Sequence, residues 1–294
     1  MGWNKISLIG VGLLGGSLGL ALRQTKLAGH VAAYVRRESA CGEVLACGAA
    51  DSATTDLTQA VSGSDLVVFC TPLGQMSALM KKTAPHLVRG TIITDVGSVK
   101  NSVHAAIDPI AREFGLVFVG GHPMAGSEKI GVSAAKADLF EKALCILTPG
   151  PTSTPEALRR LTSLWKSLGS RPITLNPDLH DQLVSRSSHL PHLMASALAD
   201  YVLDQTHGPE QTTLCATGFR DTTRVSSGSP EMWRDIAMAN RTHLSKSLSG
   251  LMDSLSKLKA ALDAGDEKFL EEHYLQAKNR RDEWLAQFTT GSTD

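Results

Sequence analysis

The sequence has no excess of either charge: Lys and Arg number 29, as do Asp and Glu. Without a net field it is not drawn to nucleic acid or to an anionic membrane, and the expected partner is a small molecule. A cysteine framework is missing as well. Cys41, Cys47, Cys70, Cys145 and Cys215 are odd in number and have no paired short spacings, so neither a disulfide scaffold nor a zinc site is implied, and the thiols are expected to be reduced. There is no run of about 20 apolar residues that could span a bilayer. The apolar start is interrupted by Gly10, Gly12, Gly15, Gly16 and Gly19 and does not suit a signal h-region either. The expectation is a cytoplasmic protein with an intact N-terminus. No internal repeat is present, and low complexity is limited to the Gly-Ser-Thr-Asp tail.

What is present is enough apolar residue, 42% of 294, for a full core, and a length that suits two domains. Short β-rich runs at 6–9, Val31–Val35, Leu66–Cys70, Thr91–Thr94, Val117–Val119 and Ala143–Leu147 alternate with helical stretches. That alternation predicts βαβ units and a parallel sheet. After the break at 149–155, Glu156–Leu168 reads as a helix and Pro172–Leu175 as a last strand. From Pro177 the β-branched runs vanish and the pattern turns helical. The fold expected is therefore α/β, a Rossmann-type doubly wound parallel sheet over 1–176, followed by an all-α domain over 177–294. In that domain Ser229 reads as an N-cap and Pro230 as the first helical residue. Trp233, Ile236, Leu244, Leu248, Leu251, Leu255, Leu258 and Leu262 then form one apolar stripe. A single helix over 230–262, at about 1.5 Å per residue, would be on the order of 50 Å long, and a second subunit is expected to cover it.

Gly10-Val11-Gly12-Leu13-Leu14-Gly15 follows the first strand and opens a helix, the context that a dinucleotide fingerprint requires. Its glycines permit a tight turn and close approach of a pyrophosphate, whose charge the helix N-terminus attracts. The second strand should end in an acid if the cofactor is NAD, since a carboxylate accepts from the ribose 2′-hydroxyl. Here the stretch is Tyr34-Val35-Arg36-Arg37-Glu38. Arg36 and Arg37 favour the 2′-phosphate, so NADP is expected over NAD. The alternative is a solvated strand end at which Glu38 takes the hydroxyl.

Three further strand ends bring polar residues to the same rim: Cys70-Thr71-Pro72, Asp95-Val96-Gly97-Ser98-Val99-Lys100, and Gly120-Gly121-His122-Pro123 running on to Ser127 and Glu128. Taken singly, Ser98 reads equally as a helix N-cap and His122 as a turn histidine. Their common location at the carboxyl edge of the sheet is what marks them. With the fingerprint, His189-Leu190-Pro191-His192 and Gly218-Phe219-Arg220-Asp221-Thr222-Thr223-Arg224, the chain resembles the prephenate and arogenate dehydrogenase family. The motifs occur in the family's order over most of the chain.

The resemblance implies oxidative decarboxylation of prephenate to 4-hydroxyphenylpyruvate with hydride transfer to NAD(P). Its alternatives are use of arogenate, giving tyrosine directly, and dual specificity. It implies His122 as acceptor of the ring hydroxyl proton, with Ser98 holding hydroxyl or imidazole, and Arg224 as the carboxylate clamp. An unperturbed imidazole, with a pKa of about 6.5, is mostly neutral near neutral pH and suits this role. Asp221, three residues before Arg224, is placed to steady it. The segment of His189 and His192 is expected to line the substrate cleft, one histidine facing substrate and the other packed structurally, with Ser127 and Glu128 as further substrate contacts and Pro191 bending the helix. Gly10, Gly12, Leu13, Leu14, Gly15, Thr71 and Pro72 fall to the cofactor. Trp233 reads as core packing, with closure of the pocket as its alternative.

The spacing of His189 and His192 would suit a metal, but no third ligand accompanies them and no His-Glu-x-x-His pattern occurs, so no metal is expected. A 3-hydroxyacid dehydrogenase shares the two-domain plan but relies on a lysine where this helix carries His189 and His192. From another class, a nicotinamide-sensing protein without catalysis would not need Ser98, His122 and Arg224 together. A monofunctional enzyme, dimeric through its helical domain, is the reading.

Overall fold

The computed structural model describes residues 2–127 and 129–290. Among them, eight strands form one sheet: β1 (Trp3–Ile9), β2 (Ala28–Tyr34), β3 (Ser52–Thr54), β4 (Leu66–Phe69), β5 (Ile92–Asp95), β6 (Val117–Pro123), β7 (Leu144–Pro149) and β8 (Arg171–Thr174). Their order is β3-β2-β1-β4-β5-β6-β7-β8, so the first six follow the doubly wound 3-2-1-4-5-6 arrangement. The direction of winding reverses between β1 and β4, which opens a crevice at their carboxyl ends. The Rossmann-type sheet expected from the alternation is present.

Strand β4, Leu-Val-Val-Phe, is buried throughout because helices cover both faces of the sheet. Alternation along the strands divides the core. Ile6, Leu8, Leu66 and Val68 pack with Leu18, Leu161 and Trp165 on one side. Ile9, Val67 and Phe69 pack with Met76, Val103 and Ile107 on the other. Ser7 also faces this second side, its hydroxyl donating to the Ala60 carbonyl at 2.7 Å.

The structure corrects two expectations and adds one strand. The sheet is not parallel throughout: β7 runs antiparallel to β6, pairing His122 with Ile146. A parallel return usually runs through a crossover helix, and among the described residues the only helical turn between these strands is the 3-10 turn Val132–Ala134. This pairing also carries β6 on to Pro123, so His122 lies within a strand and not in a turn. Strand β3, three residues long, has no signal in the sequence. The stripe over 230–262 is not one helix. Ser229 does cap Pro230–Ala239, accepting from Met232 N–H at 3.4 Å, but the helix ends at Asn240 and another begins at Arg241.

After the sheet, the helix Pro177–Val184 leads through a five-residue π-helical turn, Ser185–His189, into the helix Leu190–Val202. Pro191, which has no N–H, is accommodated by this wide turn as much as by a bend.

The chain divides into two compact units, residues 1–241 and 242–294. The second is built from the helix Arg241–Ala264, which begins at the division, and the helix Glu267–Thr290. Between these helices Gly265, at φ +64°, makes the left-handed turn. Met252, Leu255, Leu262, Tyr274, Leu275 and Trp284 are exposed on them. No helix among the described residues is long and apolar enough to cross a membrane.

Candidate active site

The glycines of the fingerprint have three different physical roles. Gly10 has φ +90°, a conformation that side chains resist, and a Cβ there would lie 2.6 Å from Thr71 Cγ2. At Gly15 a Cβ would come within 2.3 Å of the Gly10 carbonyl oxygen, so this glycine lets the helix Leu13–Gln24 approach the strand end. Gly12 is the N-cap of that helix, makes no side-chain cap bond, and has nothing within 4 Å of where a Cβ would project. Open space therefore adjoins the first-turn amides of Leu13, Leu14 and Gly15, as a bound pyrophosphate requires. Thr71 Oγ1, across the crevice, is buried without a hydrogen-bond partner. Pro72 caps the next helix, Leu73–Thr83. These residues fit a dinucleotide. Arg36 and Arg37 are exposed just beyond β2, while the Glu38 carboxylate accepts from Thr55 Oγ1 at 3.0 Å.

Next along the rim, β5 and β6 separate. They pair only through Ile92↔Val117 and Ile93↔Phe118. Beyond that point side chains replace the ladder. Asp95 accepts from Gly121 N–H at 3.1 Å and from Gly97 N–H at 2.8 Å. Lys100, fully buried, donates from Nζ to Asp95 at 2.5 Å and to the Gly121 carbonyl at 2.7 Å. Gly121 must be glycine for this, since a Cβ would stand 2.5 Å from the Asp95 carbonyl oxygen. The ion pair thus fixes the residue immediately before His122.

His122 is 7% exposed. Its Nδ1 lies 2.8 Å from His180 Nε2, and His180 Nδ1 lies 2.8 Å from Asp181 Oδ1. Burial is the main cause that holds the His122 pKa well below 6.5, and the neighbouring His180, Lys100 and His189 also disfavour a proton there. Neutral His122 is consequently the resting form, with Nε2 as its remaining ring nitrogen. Ser98 is half-buried on the loop between β5 and the helix Asn101–Phe114. It is not that helix's cap. The amides of Lys100 and Asn101 are capped instead by Asp181, at 2.7 and 2.9 Å.

The two predicted cleft histidines are both buried. His189 Nδ1 contacts Asn240 Nδ2 at 3.1 Å, and its Nε2 has no partner. Burial lowers its pKa to about 4. His192 is hydrogen-bonded to the backbone of Val225, leaving its Nε2 unpartnered, and burial lowers its pKa too. Trp233, half-buried, stacks on His192 with ring centroids 3.5 Å apart and meets His189 edge-on. It walls these two histidines and is not simply part of the core. Among the described residues no group of three His, Cys, Asp or Glu could hold a metal ion.

Arg224, Asp221 and Ser127 are exposed. Arg224 is exposed at the end of the helix Thr217–Thr223, next to the Val225 that His192 contacts. Asp221, expected to steady Arg224, pairs with its neighbour Arg220 at 3.0 Å, both side chains being exposed. Ser127 is exposed, its hydroxyl accepting from Lys129 N–H at 3.2 Å, away from the buried rim. Glu128 lies outside the described residues. Sequence reasoning missed His180, Asp181 and Asn240. The first two form a His-Asp pair of adjacent residues on a short helix, with no spacing that sets them apart from a solvated helix face. Asn240 interrupts an apolar stripe, a signal that periodicity alone overrides.

A Gly-rich crevice at the switch point of a doubly wound sheet, beside a buried neutral histidine, defines a pyridine-nucleotide-linked oxidoreductase. The family model for the prephenate dehydrogenase nucleotide-binding domain matches residues 18–174, and that for the prephenate dehydrogenase dimerization domain matches 176–276. The chain belongs to the prephenate dehydrogenase family. It is 33% identical over 285 residues to the prephenate dehydrogenase of Bacillus subtilis, covering 95% of this chain and 76% of that one. With the cyclohexadienyl dehydrogenase of Zymomonas mobilis it shares 31% over 281 residues, 95% of each chain. The crystal structure of A. aeolicus prephenate dehydrogenase in complex with hydroxyphenyl propionate and NAD+ superposes with a TM-score of 0.89 at 30% identity, covering 96% of this chain and 99% of that one.

The glycines separate binding from folding. Gly12→Ala is expected to leave the melting temperature unchanged while weakening nucleotide binding roughly tenfold or more, a loss of about 1.4 kcal/mol. Gly15→Ala, which meets backbone, is expected to cost about 1–3 kcal/mol of stability. Denaturant titration and fluorescence titration with NADPH would check both, and equal binding by Gly12→Ala and wild type would remove the crevice as the nucleotide site.

Proposed function

We propose that the chain catalyses oxidative decarboxylation of prephenate to 4-hydroxyphenylpyruvate, with His122 as the group that handles the ring hydroxyl proton. The observation that carries this reading is a buried, neutral His122 whose Nδ1 is engaged by His180, on a strand end of the rim that holds Gly12 and Ser98. When bound, the nucleotide accepts hydride from the ring carbon that bears the hydroxyl. His122 Nε2 takes the hydroxyl proton as a carbonyl forms at that carbon. The bond to the opposite ring carboxylate then breaks, carbon dioxide leaves, and the electron pair enters the ring, which becomes aromatic. His122 returns its proton to the phenolate oxygen, so the enzyme ends as it began. Base catalysis of this kind contributes about 10²–10⁴-fold.

Ser98 orients the hydroxyl or the imidazole, and Arg224 binds a substrate carboxylate through its planar fork. His189 and His192 line the cleft. Ser127, Glu128 and Asp221 are kept as outer substrate contacts. The sheet portion through residue 176 is taken as the nucleotide domain and 177–294 as the substrate and dimerisation domain. A homodimer is supported by the apolar side chains exposed on the last two helices and by the matched dimerization family. Five free cysteines suit the cytoplasm.

NADP is the proposed cofactor. Two exposed guanidinium groups follow β2, and Glu38, the acid that would otherwise serve a ribose hydroxyl, is bonded to Thr55. A second reading, turnover of arogenate, is favoured by His192. Its Nε2 is a buried acceptor without a partner, which suits an ammonium better than a keto oxygen, and one relative is a cyclohexadienyl dehydrogenase.

Steady-state rates with prephenate and arogenate, each crossed with NAD and NADP, test the reading. Prephenate with NADP is expected to turn over, and cofactor reduction in none of the four would overturn the proposal. His122→Asn is expected to keep nucleotide binding and lose about 10²–10⁴ in kcat; unchanged turnover would remove the proposed base. Replacing Arg36 and Arg37 together by Ala is expected to raise KM for NADP roughly tenfold, with that for NAD little altered. Equal losses for the two nucleotides would contradict the 2′-phosphate assignment.

A further inference from the structure

We propose that Asp181 and His180 are positioning residues that fix the tautomer of His122, and that Asp181, through Asn240, gives His189 the opposite tautomer. The proposal rests on the reading of His122 as the proton acceptor and adds what makes it one. A neutral imidazole has one N–H and one lone pair, and which nitrogen holds which is decided by its neighbours. Here the decision is traced back to a carboxylate.

Asp181 cannot turn. Its Oδ1 accepts from Lys100 N–H at 2.7 Å and its Oδ2 from Asn101 N–H at 2.9 Å, so both oxygens are pinned as acceptors by backbone. The ring nitrogen facing Oδ1, His180 Nδ1 at 2.8 Å, must therefore carry hydrogen. Neutral His180 then has its lone pair on Nε2. That lone pair faces His122 Nδ1 at 2.8 Å, which must supply the N–H. His122 is left with a lone pair on Nε2, the form that can take a proton. With the opposite tautomer His122 would present an N–H to the ring hydroxyl and could not act as a base.

The main chain of the same residue acts on His189. The Asp181 carbonyl accepts from Asn240 Nδ2 at 2.9 Å, which orients the Asn240 amide, since a flipped amide would set oxygen against oxygen. The second N–H of Nδ2 points to His189 Nδ1 at 3.1 Å, making that nitrogen an acceptor. His189 Nε2 consequently carries the proton, and it is buried without a partner. His189 is close enough to His122 that protonating both would be opposed. The pair therefore offers one acceptor, His122 Nε2, and one donor, His189 Nε2–H. This matches a substrate that has a hydroxyl proton to lose and carboxylate or carbonyl oxygens to be held.

Long-range ¹H–¹⁵N correlation spectra of the full-length protein, labelled at histidine nitrogens and saturated with NADP, read the tautomers directly. At neutral pH His122 and His180 are expected to be protonated on Nδ1, and His189 on Nε2. His180→Phe keeps an aromatic ring but removes the acceptor; it is expected to move the His122 proton to Nε2 and lower kcat by about 100-fold or more, with KM for prephenate changed little. His180→Gln, whose carbonyl oxygen can still accept from His122 Nδ1–H, is expected to restore much of that loss. A wild-type His122 protonated on Nε2 would overturn the proposal even if no variant folded. So would a folded His180→Phe that keeps wild-type kcat. His122→Asn with full turnover would instead remove the underlying reading, leaving the tautomers as a structural fact.

Discussion

Lys100 is out of water entirely, and the edge of the sheet that carries His122 depends on the bonds that compensate its charge. Desolvating an ammonium and a carboxylate costs several kcal/mol each, which only close pairing and further hydrogen bonds can offset. Asp95 supplies the pairing, and the peptide groups of Gly97 and Gly121 supply the rest. Removing one partner of such a pair typically costs about 3–5 kcal/mol, because the other charge is left buried alone. The pair stands where the β5–β6 ladder stops, so it determines the position of Gly121 and hence of His122. Its cation has a second effect. Close to His122, it opposes protonation of the imidazole and helps to keep it neutral.

Asp181 is the counterpart of this pair on the helix that follows the sheet. One carboxylate caps the helix Asn101–Phe114, holds His180 and, through His180, reaches His122. Its carbonyl is tied to Asn240 and so to His189. The residues in contact come from sequence positions up to 81 apart, so a shift of the helix Pro177–Val184 would disturb fold and proton chemistry together. Buried polar networks of this kind specify one arrangement when all members are satisfied. In this network Asn240 Oδ1 and His189 Nε2 are buried without a partner, as is His192 Nε2.

What was legible in the sequence was local. Gly10, Gly12 and Gly15 are spaced as a turn, an opening and a close contact, and each has that place in the structure. Strand ends carrying Thr71, Ser98 and His122 could be assigned to one rim because a doubly wound sheet allows no other edge for them. Ser229 and Pro230 marked a helix start correctly. The direction of β7 was not legible, since its β-rich run reads the same whether it pairs parallel or antiparallel to β6. Nor was the break at Asn240: apolar residues on both sides keep their helical spacing, and only the inward hydrogen bonds of its amide show why the chain stops there. Asp221 illustrates the opposite failure, a favourable spacing to Arg224 that a nearer arginine pre-empts.

The central claim is that a histidine kept neutral by burial and by the neighbouring Lys100 cation takes the substrate's proton. A depressed folded-state pKa means that the active, neutral form persists as pH falls below the ordinary histidine value. The most direct test is kcat/KM for prephenate across pH at saturating nucleotide. The profile is expected to stay level from about pH 8 down through about 6.5 and to fall only well below it. An acid limb with its midpoint at or above about 6.5 would contradict the account.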